Sequence, residues 1–368
     1  MQTNEKHIKE PLFHITKRTD ISTLKAWIIR LIAILAALIV SGLVIVVITS
    51  YNPIEVYAKM IEGSFGSDRK FFILLQNTAM LLCVSLAVTP AFKMKFWNLG
   101  AEGQVLVGGL ASAACMFYAK DSLPSWLLII IMLITSVLSG IIWGVLPAVF
   151  KAIWRTNESL FTLMMNYVAI QLVAFFIMVW VPNGSSVMGV INQRSEAGWL
   201  PELFGQKYAI NIIVVAVLTV IMFVYLHFSK QGYEISVVGE SENTARYVGI
   251  NVKKVIIRTM VISGAICGIA GFLLVSGTNH TVSKELAGGM GFTAIMVSWL
   301  AKFEPVMMIF TSMFIIFLQR GAGEIAMTLR LNESVSDIIT GIIIFFIIGS
   351  EFFINYKINK RASHKEAK

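Results

Sequence analysis

The chain has 368 residues, is 57% hydrophobic and only 14% charged, and carries a formal net charge of +9. No stretch of low hydrophobicity is long enough to fold as a separate soluble domain, so the composition points to a polytopic membrane protein. The basic excess sits in short segments between apolar runs, a positive-inside pattern rather than a nucleic-acid footprint, which sets nucleic acid aside as a partner and makes lipid the surrounding medium.

In chain order, residues 1–25 are polar and basic, with Lys6, Lys9, Lys17, Arg18 and Lys25. The apolar run that follows is too long for the hydrophobic region of a cleavable signal, so the first span is expected to stay as an anchor. The spans are predicted at Trp27–Ile48, Phe71–Ala91, Gln104–Tyr118, Ser125–Phe150, Leu160–Val181, Ala209–Phe228, Val255–Thr278, Phe292–Lys302, Val306–Gln319 and Asp337–Phe353. Between them lie an amphipathic turn at Ile54–Ile61, a polar loop at 182–208 and a long basic loop at 229–255. The fold expected is therefore an all-α polytopic membrane protein of about ten transmembrane helices. Residues 1–25 and 356–368 form terminal segments around a membrane domain at 26–355. Alternating the loops from an inside N-terminus puts about 21 of the 30 Lys and Arg on the cytoplasmic side, so both termini are expected there, in a multi-pass protein of the cell membrane.

Two helices are expected to be short or broken. The first interruption is F-W-N-L-G-A-E-G-Q, from Phe96 to Gln104, which puts Asn98, Glu102 and Gln104 where hydrocarbon penalises them. A carboxylate at membrane depth costs about 2.5 kcal/mol or more and usually faces a polar cavity. The second is L-A-G-G-M-G, from Leu286 to Gly291, about 187 residues further on and five spans away. An odd number of spans inverts the second half against the first, and inverted repeats place a solute site where they meet. Trp97, Phe292 and Trp299 add aromatic faces, and Asn166 adds an amide. For Asn98 and Glu102 the alternative role is capping a half-helix; for Asn166 it is an interhelical hydrogen bond; for the aromatics it is packing.

In the long loop, Ser241 can cap a short helix, Glu242 suits its first turn and Gly249 can end it in a left-handed conformation. Two turns are too short to stand without a partner, so the segment is either a docking helix or a solvated connector. Metal or disulfide chemistry is not expected. Cys83, Cys115 and Cys267 lie in apolar stretches, without a CxxC or a nearby histidine cluster. No G-x4-G-K-[ST], H-E-x-x-H or G-x-S-x-G motif occurs, so there is no candidate catalytic or metal-binding residue and no P-loop.

Four stretches carry a resemblance: N-L-G-A-E-G-Q at Asn98–Gln104, N-E-S-L-F-T-L-M-M-N-Y-V-A at Asn157–Ala169, the loop at Gly239–Ile250, and G-M-G-F-T-A at Gly289–Ala294. Together they resemble the ABC importer permease family that serves branched-chain amino acids, ribose-type sugars and nucleosides, and the first two are more similar to its nucleoside branch. The resemblance implies a permease subunit of an ATP-driven importer, not an enzyme. Ribose-type sugar transport, or an ATPase-independent secondary carrier using Glu102 as a proton-linked group, is the alternative. It also implies an ABC ATP-binding subunit that uses ATP and Mg, no cofactor on this chain, a similar or identical second permease subunit, and an extracytoplasmic substrate-binding protein. Gly239, Glu240, Ser241, Ala245, Arg246, Tyr247 and Gly249 would form the ATPase-coupling segment, and Trp97, Asn98, Glu102, Gln104, Asn166, Phe292 and Trp299 the substrate pathway. The chain departs from the family pattern at Ser241, Glu242, Asn243 and Thr244, and again at Ser298–Ala301, where Trp299 is an added aromatic.

Overall fold

A computed structural model describes residues 13–18, 21–49, 51–181, 188–203, 205–330 and 332–360. Parts of the expected head at 1–25, of the loop at 182–208 and of the tail at 356–368 lie outside the described residues. Thirteen α-helices are present among the described residues. They are α1 (Thr23–Thr49), α2 (Pro53–Phe65), α3 (Asp68–Lys93), α4 (Ala101–Tyr118), α5 (Ser125–Trp154), α6 (Glu158–Trp180), α7 (Ala209–Phe228), α8 (Lys230–Glu240), α9 (Glu242–Tyr247), α10 (Val252–Leu274), α11 (Met290–Leu300), α12 (Pro305–Thr328) and α13 (Glu333–Asn355). Eight of them are long and apolar enough to cross a membrane. The helices at the two expected interruptions, α4 and α11, are shorter, as the glycine pattern required.

The chain divides into two compact units, residues 1–64 with 318–368, and residues 65–317. In the first, α1 packs along α13, with Arg30 bridging to Glu351 at 2.7 Å. Strand β1 (Phe13–Lys17) pairs antiparallel with β2 (Tyr356–Lys360), Phe13 opposite Lys360 and Lys17 opposite Tyr356. Neither strand was expected, because five polar-rich residues at a chain end carry no pattern that points to so distant a partner. Helix α12 runs nine residues past the expected Gln319. Its polar end is covered within this unit, where Gly63 lies flush on Glu324 and Gly321 on Met60.

The second unit holds the main apolar core, built on α3, α4, α5 and α10. Small residues let these helices approach: a Cβ on Gly108 would lie 2.8 Å from the Gly268 Cα, and one on Gly144 would lie 3.1 Å from the Met260 carbonyl. Ser136 Oγ donates to the Gly108 carbonyl at 2.7 Å across the same seam. Close backbone contact of this kind is how helices associate where water offers no driving force. Helix starts follow side-chain capping, with Asn157 Oδ1 accepting the Leu160 N–H and Asn251 Oδ1 accepting the Lys254 N–H, both at 3.1 Å. Helix α10 passes into a π-helical turn at Val275–Asn279 before the second interruption.

Candidate functional site

The first break begins where α3 ends. Phe96 N–H reaches back to the Ala91 carbonyl and Lys95 N–H to the Phe92 carbonyl, with Lys95 left-handed at φ 59°, so the chain turns sharply at the end of α3. Residues 95–100 then run without helical bonds. Their free backbone groups must be satisfied by protein if hydrocarbon surrounds them. Helix α6 does this with two side chains one turn apart. Thr162 Oγ1 accepts the Leu99 N–H at 3.1 Å, while Asn166 Oδ1 accepts the Gly103 N–H at 2.8 Å and Asn166 Nδ2 donates to the Leu99 carbonyl at 2.7 Å. Asn98 closes the turn from within: its Oδ1 accepts the Gly100 N–H at 3.1 Å and Gln104 Nε2 at 3.3 Å, and its Nδ2 donates to Ser263 Oγ on α10 at 3.2 Å.

The second break is capped by the first. Glu102, in the opening turn of α4, accepts the Gly289 N–H at 2.9 Å and the Gly291 N–H at 2.7 Å. Both donors are unpaired amides at the start of α11, where a carboxylate is favoured by unsatisfied N–H groups and by the helix dipole. Gly289 sits at φ 74°, a left-handed conformation open to glycine. At Gly291 the need is space, since an added Cβ would lie 2.6 Å from the Glu102 amide nitrogen. The two interruptions, 187 residues apart, therefore meet through one carboxylate.

Of the seven candidate pathway residues, the three amides and the three aromatics go to different places. Asn98, Gln104 and Asn166 are buried and engaged in the break itself. Glu102 is half-buried over the second break. Trp97, Phe292 and Trp299 remain 44%, 47% and 52% exposed. Trp97 and Trp299 stand on one another, ring centroids 5.6 Å apart at 43°, backed by Phe92 at 5.7 Å and Phe303 at 6.3 Å. Thr162 and Ser263 are members of the break that the sequence reading missed. The first was signalled by the T-x-x-x-N spacing on α6, which puts both side chains on one face.

The loop at 229–255 is mostly helical. Helix α8 was not expected; α9 was, and Ser241 serves as C-cap of one and N-cap of the other, its Oγ accepting the Thr244 N–H at 3.2 Å. Gly249, at φ 84°, ends α9, with Ile250 N–H on the Ala245 carbonyl at 2.9 Å. Ala245 is buried, Arg246 pairs with Glu242 at 2.9 Å, and Tyr247 projects with 93% of its surface free. A second apolar cluster seats the loop: Ile235, Val238 and Ala245 pack with Met94 and Phe96 from the segment that leads into the first break. Gly239 lies against the backbone of Lys93 and Met94, and Lys95 Nζ donates to the Glu240 carbonyl at 3.5 Å. A cleft of about 570 Å³ opens beside α9, with Lys151, Arg155, Arg246 and Lys253 against Glu242.

At the far end of α10 the π-turn and the segment after it are pinned by the loop at 188–203. Ile191 N–H donates to the His280 carbonyl at 2.8 Å, Leu200 N–H to the Ser276 carbonyl at 3.0 Å, and Thr281 Oγ1 to the Met188 carbonyl at 2.9 Å. His280 stacks on Trp199 with centroids 3.7 Å apart at 12°. Burial, and then the Lys207 ammonium, lower its pKa to about 4.

The Branched-chain amino acid transport system / permease component model matches residues 71–348. The chain is 29% identical to the guanosine ABC transporter permease protein NupP of Bacillus subtilis over 92% of its length and 98% of that protein. It is 27% identical to the nucleoside ABC transporter permease protein NupB of Lactococcus lactis subsp. cremoris, covering 92% and 94%. It is 26% identical to the glucose ABC transporter permease protein TsgB13 of Haloferax volcanii, covering 91% of each. With the family model spanning both interruptions and the loop between them, the chain belongs to the permease component family of branched-chain amino acid transport systems.

Proposed function

We propose that this chain is the membrane-spanning permease subunit of an ATP-driven importer of nucleosides, and that the seam between its two broken helices borders the solute path. The observation that carries the reading is the Glu102 cap on Gly289 and Gly291, with Gly288 and Gly289 exposed beside it. Helix α11, at 11 residues, is about 16 Å long, roughly half a hydrocarbon core, so its capped end falls near mid-depth. Exposed non-helical backbone at that depth is tolerated only where it meets protein or a water-filled cavity, so this face does not meet lipid.

Phe292 offers flat apolar surface beside that polar backbone, and Trp97 with Trp299 offers more toward the other end of α11, a mixture that suits a solute with an aromatic base and a polyhydroxyl ring. Asn98, Gln104 and Asn166 serve the path indirectly, by holding its wall open and rigid. The guanosine and nucleoside relatives support this class of solute, and the glucose relative keeps a sugar as the second reading.

Helix α9, with Gly239 to Gly249 around it, would dock on a separate ABC ATP-binding subunit, which uses ATP and Mg; this chain itself would bind no cofactor. Both termini would face the cytoplasm, the side of that docking helix. A second permease subunit, similar or identical, would complete the path, and an extracytoplasmic binding protein would deliver solute to its outer end.

The test is uptake of radiolabelled nucleosides and ribose by cells with and without the chain, and with Gly249→Pro. Proline cannot adopt φ 84°, so this change breaks the end of α9 and leaves the spans intact. Nucleoside uptake should vanish both in the deletion and in the membrane-inserted variant. Uptake that persists in the variant and is abolished by a protonophore would replace the reading with a secondary carrier, and dependence of ribose alone would move it to sugars.

A further inference from the structure

An exposed aromatic pair lies beside the segment on which the α8–α9 loop is seated. Trp97 and Trp299 form that pair. Each is about half exposed, and their rings meet at 5.6 Å. The pair belongs to the coupling end of the second unit, because Lys95 contacts the Glu240 carbonyl two residues before Trp97, and Glu304, bonded to His227 at 3.0 Å, follows Trp299 by five residues.

The two tryptophans are mounted differently. Trp299 lies in the last turn of α11, which is fixed to α3 by Ser298 Oγ, donating to the Ser85 carbonyl at 3.1 Å and 3.0 Å from Thr89 Oγ1. Trp97 sits on the non-helical segment. The neighbour before it, Phe96, and Met94 two further back are buried in the cluster that holds Ile235, Val238 and Ala245 of the α8–α9 loop. Gly239 lies directly on the Lys93 and Met94 backbone. The 94–97 segment is also anchored at the end of α3, where Phe96 N–H meets the Ala91 carbonyl and the Trp97 ring meets Phe92. Helices α8–α9 therefore act on Trp97 at the point where the chain leaves α3, whereas among the described residues Trp299 has no contact of this kind with α8–α9.

The geometry points to Trp97 and Trp299 as a latch that closes the coupling end of the solute path and is released by movement of α8–α9. This rests on the function proposed above. Trp97 acts as a positioning residue that converts movement of the loop into opening of the path. The latch does not need Glu102, whose cap lies deeper along α11.

The experiment uses the complete transporter, with both permease subunits and the ATP-binding subunit, in proteoliposomes loaded with radiolabelled nucleoside. Efflux without ATP is measured first, then ATP-driven uptake with the binding protein. An aromatic pair shifts an open-to-closed ratio by about two- to tenfold, so Trp299→Leu and Trp97→Leu should each raise ATP-independent efflux by that factor, with no further increase in the double variant. Trp299→Phe, which keeps an aromatic face, should restore tight closure. Single variants that run as intact complexes with wild-type efflux, or efflux factors that multiply in the double variant, would overturn the latch. A purely structural role would lower uptake and ATP hydrolysis together with the amount of complex and leave efflux per complex unchanged, which also overturns it. Absence of ATP-driven nucleoside uptake in the wild-type transporter would instead sink the function on which the inference rests.

Discussion

Glu102 separates two roles that its sequence position left open, a pathway ligand or a helix cap, and substitution can distinguish them. Glu102→Ala removes both acceptors at the start of α11. The Gly291 N–H is partly buried, and an unsatisfied amide there costs about 1–3 kcal/mol. The Gly289 N–H is reached by water and costs less, while the lost charge–dipole contact adds about 0.3–1 kcal/mol. Together these give about 2–4 kcal/mol for Glu102→Ala. Glu102→Gln keeps one acceptor but turns an NH2 group toward the other amide, so about half of that is lost. The assay is thermal unfolding of purified protein followed with a thiol-reactive fluorophore, since Cys83 and Cys267 are buried and react only as the core opens. The melting temperature should fall in the order wild type, Gln, Ala, and uptake should fall in parallel with the folded fraction. Wild-type melting temperatures for both variants, with uptake abolished, would refute the cap and return Glu102 to direct contact with solute.

Asn166→Leu should lower stability by about 2–4 kcal/mol in the same assay, because it strips partners from the Gly103 N–H and the Leu99 carbonyl; no change would mean that those groups find water and that the break is wetter than described. Gly239→Ala should separate the α8–α9 loop from the end of α3 and cost about 1–3 kcal/mol, since its Cβ would collide with the Lys93 carbonyl. Gly249→Ala meets open space, pays only about 1 kcal/mol for its left-handed φ, and should leave more uptake; the reverse order in an uptake assay would contradict the packing. His280 is held neutral with its pKa lowered to about 4 from an ordinary 6.5. The unfolded loop therefore takes up a proton first: the contribution of His280 is whole above pH 6.5 and is lost as pH falls toward 4. Protease sensitivity of the 188–203 segment should rise across that window and be flat in His280→Phe; a rise of the same size in the variant would sink the assignment.

Much of this fold was legible because bilayer spans leave an unusually plain record. The limits of α7 match the apolar run at Ala209–Phe228, and the ends of α5 and α6 lie within a few residues of theirs. The two short helices were legible too, because Gly100, Gly103, Gly288 and Gly289 cluster beside polar residues in otherwise apolar surroundings. What the sequence hid were features set by a partner far along the chain. The β1–β2 ribbon joins residues more than 300 apart, and nothing in F-H-I-T-K names its mate. Arg320 and Glu324 looked like the end of a span, yet α12 continues through both. The roles of Asn98, Gln104 and Asn166 could not be read from polarity alone, because an amide at membrane depth serves a solute or a broken backbone equally well. The choice was made by the location of the nearest unpaired N–H.

That choice bears on how such a subunit can move without coming apart. The polar groups most expensive to expose, the Leu99 and Gly103 backbone and the Asn98 network, are satisfied within the α3–α4–α6–α10 wall, and the α4, α5 and α10 seam beside them has almost no side-chain volume to rearrange. Interfaces packed backbone to backbone shift as blocks rather than deform, because a small displacement brings main-chain atoms into collision. The α8–α9 loop differs in part: besides the Gly239 contact on the Lys93 and Met94 backbone and a 2.9 Å ion pair from Arg258 of α10 to Glu234 of α8, it holds the wall through an apolar cluster and a long 3.5 Å hydrogen bond from Lys95, contacts that can slide while staying buried. Motion is therefore expected at the rim around residues 94–97 and not at the Glu102 seam. Hydrogen exchange should follow that division, with Leu99, Gly103 and Gly291 amides protected through the transport cycle and the amides of 95–97 exchanging faster when the ATP-binding partner is engaged; fast exchange at Gly291 in every state would place the moving part at the seam instead.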